Sequence, residues 1–510
     1  MFSCVRGAAA VARVANPTTT NIPRTNIFSI LPSRYSTSTE PSSKRIDPID
    51  RFAHLVKNNL STNAQLPEVL NAVWTNEVVT SQCPDLIIRL TSLRGQVSSR
   101  LWKMLGGDPE EIQILAVGTT AIPNHMKDYK SFIDGIGEAA ARHAAEHRRD
   151  ADYEIGYDLF SKGSEESRGA TLRMFNEHYG FSQERLDSCI QSSAISCGGM
   201  RALKDLADGC VIQARQSGEM HRFIAPDNSF GTYWNISEHK FKGGSSLGRE
   251  SIMLPTSPEY KLHLSPADVE KFYEENRPAW GESWYITPVG NPSGTTMDGD
   301  VLTETVKTIL KHNPKAIIIL DAVYTRTLTR ERSCDLWKGV VNDDNILERV
   351  IFLESFSKSH GLCRERLGLY FSTNAKLFTD LHAANIGFSA GPGAFKDYQF
   401  YGLGNLPQEH KDAVDGLHIF WRDERKSLLK FLQSGPHAEE LFDSKQEHLD
   451  QRDIEDPCTL YILLKTKECI SAKDIFLRTG ALGVDTPLAS GHYVRFSVGA
   501  LRKPTYSVRV

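Results

Sequence analysis

The sequence predicts an α/β chain: a large domain built on a mostly parallel sheet, followed by a smaller α+β domain. Three observations predict it. Short apolar runs, such as Ala316-Ile317-Ile318-Ile319-Leu320 and Val350-Ile351-Phe352-Leu353, alternate with helix-like stretches. Polar residues gather just after those runs, where an open parallel sheet places its ligands. Beyond Asn374 the texture changes to one long Leu-, Phe- and Trp-rich helix pattern followed by mixed short elements.

The chain has 510 residues, enough for two or three domains. Its formal net charge is −4, and no basic run outside the N-terminus suggests nucleic acid as a partner. No stretch reaches the roughly 18 consecutive apolar residues of a membrane span. Residues 1–35 carry Arg6, Arg13, Arg24 and Arg34, many Ser, Thr and Ala, and no acid before Glu40. That composition predicts a mitochondrial transit peptide ending near Arg34-Tyr35-Ser36, with the matrix as destination. A disordered basic tail is the alternative. Nine scattered cysteines without metal-ligand spacing fit a reducing compartment. The expected organisation is a transit peptide (1–35), an N-terminal arm with part of the small domain (36–150), a large domain (151–375) and a C-terminal small domain (376–510).

In chain order, 115–123 reads as a short strand and turn and 131–148 as a helix. Residues 165–178 read as another helix, stopped by Gly180. Ile195-Ser196-Cys197-Gly198-Gly199-Met200 is a glycine turn opening a helix, a place that suits a phosphate. A strand from His221 runs into Asp227-Asn228-Ser229-Phe230, and a strand at 284–288 runs into Asn291-Pro292-Ser293-Gly294. Asp298 or Asp300 caps a helix through Lys311. The strand at 316–320 ends at Asp321-Ala322-Val323-Tyr324. The strand at 350–353 ends at Ser355-Phe356-Ser357-Lys358, and another strand covers 368–372. The second domain reads as a helix at 410–434, a strand at 459–464, a helix at 472–479 and an alternating strand at 493–498. No GxGxxG follows a strand and no GxxxxGK[ST] is present, which disfavours dinucleotide and P-loop sites.

A lysine just past a buried strand can form a Schiff base with an aldehyde cofactor, and Arg366 offers a donor fork for a phosphate. The ordered set Asn291, Asp321-Ala322-Val323-Tyr324, Ser355-Phe356-Ser357-Lys358 with Arg366, and Arg495 resembles the fold-type I, aspartate-aminotransferase-like family of pyridoxal-phosphate enzymes. The resemblance covers about 112–500. It implies a three-layer large domain, pyridoxal 5′-phosphate as cofactor, an amino acid and a 2-oxo acid as substrates, and a homodimer with shared active sites.

The resemblance also distributes roles. Lys358 would carry the cofactor as an aldimine and act as general base; Asp321 would pair with the pyridine nitrogen; Tyr324 and Asn291 would bind the phenolate oxygen. Ser355, Ser357, Arg366 and the backbone of Gly199 and Met200 would hold the phosphate, with Tyr157 reaching it from the partner subunit. Phe230 would stack on the ring. Arg495, helped by Gly118 and Asn291, would bind the substrate carboxylate. Phe230 as a core residue, and Tyr153 in place of Tyr157, stay open. A lyase, decarboxylase or synthase on the same scaffold, or a non-catalytic protein that kept the fold, are the competing readings. His360 and Cys363 read as packing residues, and Arg364 receives no role.

Overall fold

The computed structural model describes residues 113–114, 120, 123, 126–147, 162–218, 220–230, 249–279, 281–386, 394–435, 437–456, 459–479 and 481–499. Its centre is a seven-stranded sheet. In chain order the strands are β2 (Ser193–Ser196), β3 (His221–Pro226), β4 (Arg249–Leu254), β5 (Gly281–Ile286), β6 (Ile317–Asp321), β7 (Val350–Ser355) and β8 (Gly368–Phe371); β1 (Gln113–Ile114) lies outside it. The spatial order is β2-β8-β7-β6-β5-β3-β4. Strands β4, β3, β5, β6 and β7 are mutually parallel. Strand β8 runs against both β7 and β2, so it alone is reversed.

Strands β5, β6 and β7 are buried along their whole length, as a parallel sheet requires when both faces are covered. Helices surround it, some packed on the sheet and some on other helices. They include α1 (Lys127–His147), α2 (Glu165–Tyr179), α3 (Gln183–Gln191), α4 (Gly199–Gln216), α5 (Pro266–Glu275), α6 (Gly299–His312) and α7 (Arg330–Val341). Local chemistry sets their ends. Ser164 and Ser182 cap α2 and α3, and Gly180 closes α2 in the left-handed conformation that glycine adopts without strain. Ser265 and Asp268 form a reciprocal capping box on α5.

Helix α8 (Phe356–Ser359) is a single turn directly after β7. Beyond it lie α9 (Ala375–Ile386), α10 (Ala394–Gly404) and the 27-residue α11 (Gln408–Ser434). Helix α9 packs on α4, and α10 packs on α1 and α2. A second, antiparallel sheet of order β11-β12-β9 joins β9 (Tyr461–Lys465), β11 (Val484–Leu488) and β12 (Gly491–Ser497). The parallel pair β1 and β10 (Ala481–Leu482) stands apart.

The expected alternation of strands and helices is present, with boundaries within a few residues. Strand β4 and the reversed β8 add features the sequence reading did not supply. Gly118, Tyr157 and residues 1–35 lie outside the described residues.

Candidate active site

Because β2, β3, β5, β6 and β7 point the same way, the segments that follow them meet along one edge of the sheet. Asp321 is the last residue of β6, Asn291 follows β5, and Lys358 sits on the turn after β7. The Gly198-Gly199 turn follows β2 and opens α4.

The phosphate-type residues come together. Ser355 is the N-cap of α8, accepting from the Ser357 N–H at 3.1 Å, and its Oγ lies 3.0 Å from Ser357 Oγ. Arg366 lies against Gly198: a Cβ there would stand 2.5 Å from its guanidinium. Gly198 has φ 87 and Arg366 has φ 54, so both occupy the left-handed region, an uncommon state for an arginine. Gly199 faces Ser355, whose Cβ would be 3.5 Å from a Cβ built on the glycine. The N-terminus of an 18-residue helix, two serine hydroxyls and a guanidinium therefore border one space. Met200 is half-exposed on the first turn of α4.

Asp321 is buried, and its two hydrogen bonds come from neutral donors: the Tyr285 hydroxyl and, at 3.1 Å, the Val323 N–H. Burial pushes its carboxyl up to about 6, against the lowering effect of those two donors. Burial of this kind favours the neutral acid, and a cation beside it would favour the carboxylate instead. Tyr324 continues the site: Asn291 Nδ2 donates to its hydroxyl at 3.1 Å, and Tyr461 Oη lies 3.0 Å from the same oxygen. Burial, then the neighbouring Tyr461, keeps the Tyr324 phenol protonated well above its usual range. Arg495 on β12 donates to Asn291 Oδ1 at 3.1 Å and lies 4.9 Å over the Tyr461 ring. This contact and the Tyr324–Tyr461 pair tie the small sheet to the edge of the large one.

Lys358 Nζ lies 3.8 Å from Cys363 Sγ, which is also 3.0 Å from the Ser357 carbonyl oxygen and 3.1 Å from Thr120 Oγ1. The cysteine thus reaches the lysine. His360 is buried, with Nδ1 2.9 Å from Ser359 Oγ, and Arg364 is exposed. Phe230 is half-buried past β3 and packs against the main core.

Several residues at the site have no sequence signal. Tyr285 reaches Asp321 because the β5–β6 register pairs it with Ile319, which puts Asp321 two residues on and on the same face. Tyr461 arrives from β9. Arg425 of α11 is fully buried and donates to the carbonyl oxygens of Tyr461, Asp453 and Gly294 at 2.7, 2.7 and 2.8 Å, bracing the loop after Asn291. Among the described residues, no group of three His, Cys, Asp or Glu side chains forms a metal cluster, and no helix is long and apolar enough to cross a membrane.

The residues fit pyridoxal 5′-phosphate: a phosphate space where Gly198, at positive φ, brings the backbone against the Arg366 guanidinium, a buried carboxylate whose hydrogen bonds among the described residues come from neutral donors, and a lysine at the same sheet edge. The fold is of the fold-type I class. Within that class, residues 248–394 match the family model "Aminotransferase class I and II". Solved structures agree in fold. A double mutant of Thermus thermophilus aspartate aminotransferase superposes with TM-score 0.57 at 15% identity, covering 83% of this chain and 94% of that one. The Pyrococcus horikoshii aromatic aminotransferase gives 0.56 at 16%, covering 77% and 92%. A Mycobacterium tuberculosis aminotransferase gives 0.56 at 16%, covering 80% and 92%. No curated protein sequence matches. The resemblance to class I and II aminotransferases is therefore shown, by sequence over 248–394 and by fold beyond it. Pyridoxal 5′-phosphate is the cofactor of that family.

Proposed function

We propose that this chain is an aminotransferase that moves an amino group from an amino acid to a 2-oxo acid. The observation that carries the reading is the convergence of Lys358, Asp321, the Asn291–Tyr324 pair and Arg495 at the carboxyl edge of one sheet, over a phosphate space at Gly198–Gly199. Pyridoxal phosphate, when bound, carries the amino group between substrates and takes up the electron pair left at the substrate α-carbon.

The chain's residues divide the remaining work. Ser355, Ser357, Arg366 and the Gly199 and Met200 backbone hold the phosphate, with Tyr157 of the second subunit of a homodimer completing it. The Asp321 carboxylate keeps a proton on the ring nitrogen. Tyr324 and Asn291 donate to the ring oxygen. Phe230 covers the ring. Arg495, helped by Gly118, would grip the substrate carboxylate as a fork. Lys358 Nζ would act as the general base, taking and holding the proton of the substrate α-carbon. A matrix location fits residues 1–35; protein recovered from mitochondria is expected to begin near Ser36, and an intact Met1 there would refute that location.

Donor preference follows from a missing charge. Family members specific for dicarboxylates use a second arginine, and the corresponding stretch here, residues 383–392, contains none, with Asn385 near its place. A side-chain carboxylate left without a charged partner costs several kcal/mol. Mixed with excess amino acid and no 2-oxo acid, the enzyme is expected to convert its cofactor once to the pyridoxamine form and stop. It should do so faster with neutral or aromatic donors than with aspartate. Return of the original spectrum with release of ammonia or carbon dioxide would instead make it a lyase or decarboxylase. A roughly tenfold aspartate preference, about 1.4 kcal/mol, would overturn the donor assignment.

A further inference from the structure

Behind the lysine turn lies a buried ion pair that the proposed chemistry does not use. Arg326 sits two residues past Tyr324, on the short turn Thr325–Thr327, and Glu354 immediately precedes Ser355. Both side chains are almost wholly buried, 3.5 Å apart, in the main core region. The Arg326 guanidinium reaches both ends of the α8 turn and the ring of its first residue. It donates to the Ser355 carbonyl oxygen at 3.2 Å, lies 3.2 Å from His360 Nδ1, and stacks on the Phe356 ring at 4.7 Å. Its other face rests on Phe175 of α2 at 3.8 Å. Glu354 is held in turn by the Tyr179 hydroxyl at 2.9 Å and by the Ser355 N–H at 3.3 Å.

Stability does not explain such a pair. Two charges taken out of water regain little, and an apolar pair of equal volume is often as stable or more so. What an apolar pair lacks is direction. Ser355 O and His360 Nδ1 mark the two ends of the turn that carries Lys358, and a planar fork reaching both fixes the turn's rotation as well as its distance. The same guanidinium belongs to the chain segment that carries Asp321 and Tyr324. It thereby fixes these two residues relative to Lys358, the alignment a reaction at one ring demands. A displacement of about 1 Å at such a site costs about a hundredfold in rate.

We propose that Arg326 is a positioning residue: paired with Glu354, it sets the angle at which Lys358 is presented to the cofactor, without touching cofactor or substrate. This rests on the aminotransferase reading. It requires that Arg326 variants fold and bind cofactor yet present the lysine wrongly.

The test uses the full chain stripped of cofactor, as R326K, R326M and R326M/E354Q. R326K keeps the charge but can reach only one end of the turn. R326M leaves Glu354 buried alone and lowers the thermal midpoint. R326M/E354Q removes both charges and restores it. Two readouts separate positioning from folding. The first is the rate at which Lys358 condenses with added pyridoxal phosphate, releasing water, followed by absorbance and fixed with borohydride for peptide mapping. The second is equilibrium binding of pyridoxamine phosphate, which has no aldehyde to condense and so reports the phosphate and ring contacts alone. The expected result is a capture rate lowered roughly tenfold to a hundredfold in R326K and R326M/E354Q, with pyridoxamine phosphate binding unchanged. Wild-type capture in either variant would overturn the proposal, as would a parallel loss of pyridoxamine phosphate binding, which marks a merely structural pair. A wild-type chain that captures no cofactor at any lysine overturns the aminotransferase reading itself, and is distinguishable from both.

Discussion

Lys358→Ala is expected to abolish the proposed transamination, lowering kcat by about 10⁴- to 10⁶-fold, the range for removing a residue that both bonds to and moves protons for the reacting centre. The loss is expected in kcat rather than in cofactor retention. The residues around the phosphate space, Ser355, Ser357, Arg366 and the start of α4, do not depend on the lysine side chain, because Ser355 is fixed by its cap of α8 and Arg366 by its seat on Gly198. Steady-state kinetics beside a cofactor-binding titration separate the two effects. Loss of both together would show that the phosphate contacts alone do not hold the cofactor.

Asp321→Asn has two consequences of opposite sign. Turnover falls by about 10²- to 10³-fold or more, the scale for losing one preorganised electrostatic partner. The cofactor-free protein, in contrast, becomes more stable at neutral pH. The folded pKa of Asp321, about 6, lies above its ordinary 3.8. A group raised on folding contributes stability that is fully present below the unfolded value and lost as pH rises through the folded one. Above pH 6 the cofactor-free wild type therefore holds a buried carboxylate at a cost on the order of 3 kcal/mol. The asparagine variant escapes that cost, and the Tyr285 hydroxyl can still meet its amide. Urea midpoints of the two cofactor-free proteins should diverge above pH 6 and converge below about pH 4. A less stable variant at pH 8 would mean that the carboxylate is already paired with a cation within the chain. Addition of pyridoxal phosphate should stabilise the wild type far more than the variant, since only the wild type offers the ring nitrogen a charge.

The sequence disclosed the parts of the site that follow parallel strands, because such strands are continuous apolar runs and the residues after them must lie at one sheet edge. Asn291, Asp321, Tyr324 and Lys358 were legible for that reason. The sequence did not disclose what arrives from elsewhere. Tyr461 begins a strand more than a hundred residues beyond Tyr324, and only the docking of β9 brings their hydroxyls to 3.0 Å. Arg425 looks like an ordinary charged position on a long helix, yet its guanidinium is buried against three carbonyls. Arg326 and Glu354 flank the motifs but have no pattern of their own; a buried ion pair reads in sequence as two surface residues. Strand β4, Arg249–Leu254, has neither alternation nor a continuous apolar run, and β11 contains Pro487, which suits an edge strand. The reversal of β8 depends on its pairing with β2 and β7, which no local pattern encodes.

The most direct measurement of the central claim is peptide mapping of the wild-type protein after borohydride reduction in the presence of pyridoxal phosphate. A single pyridoxyl group per chain is expected, on the peptide containing Lys358, and it should disappear when the protein is first incubated with excess donor amino acid. A label on a different lysine, or one at Lys358 that the amino acid cannot discharge, would contradict that claim.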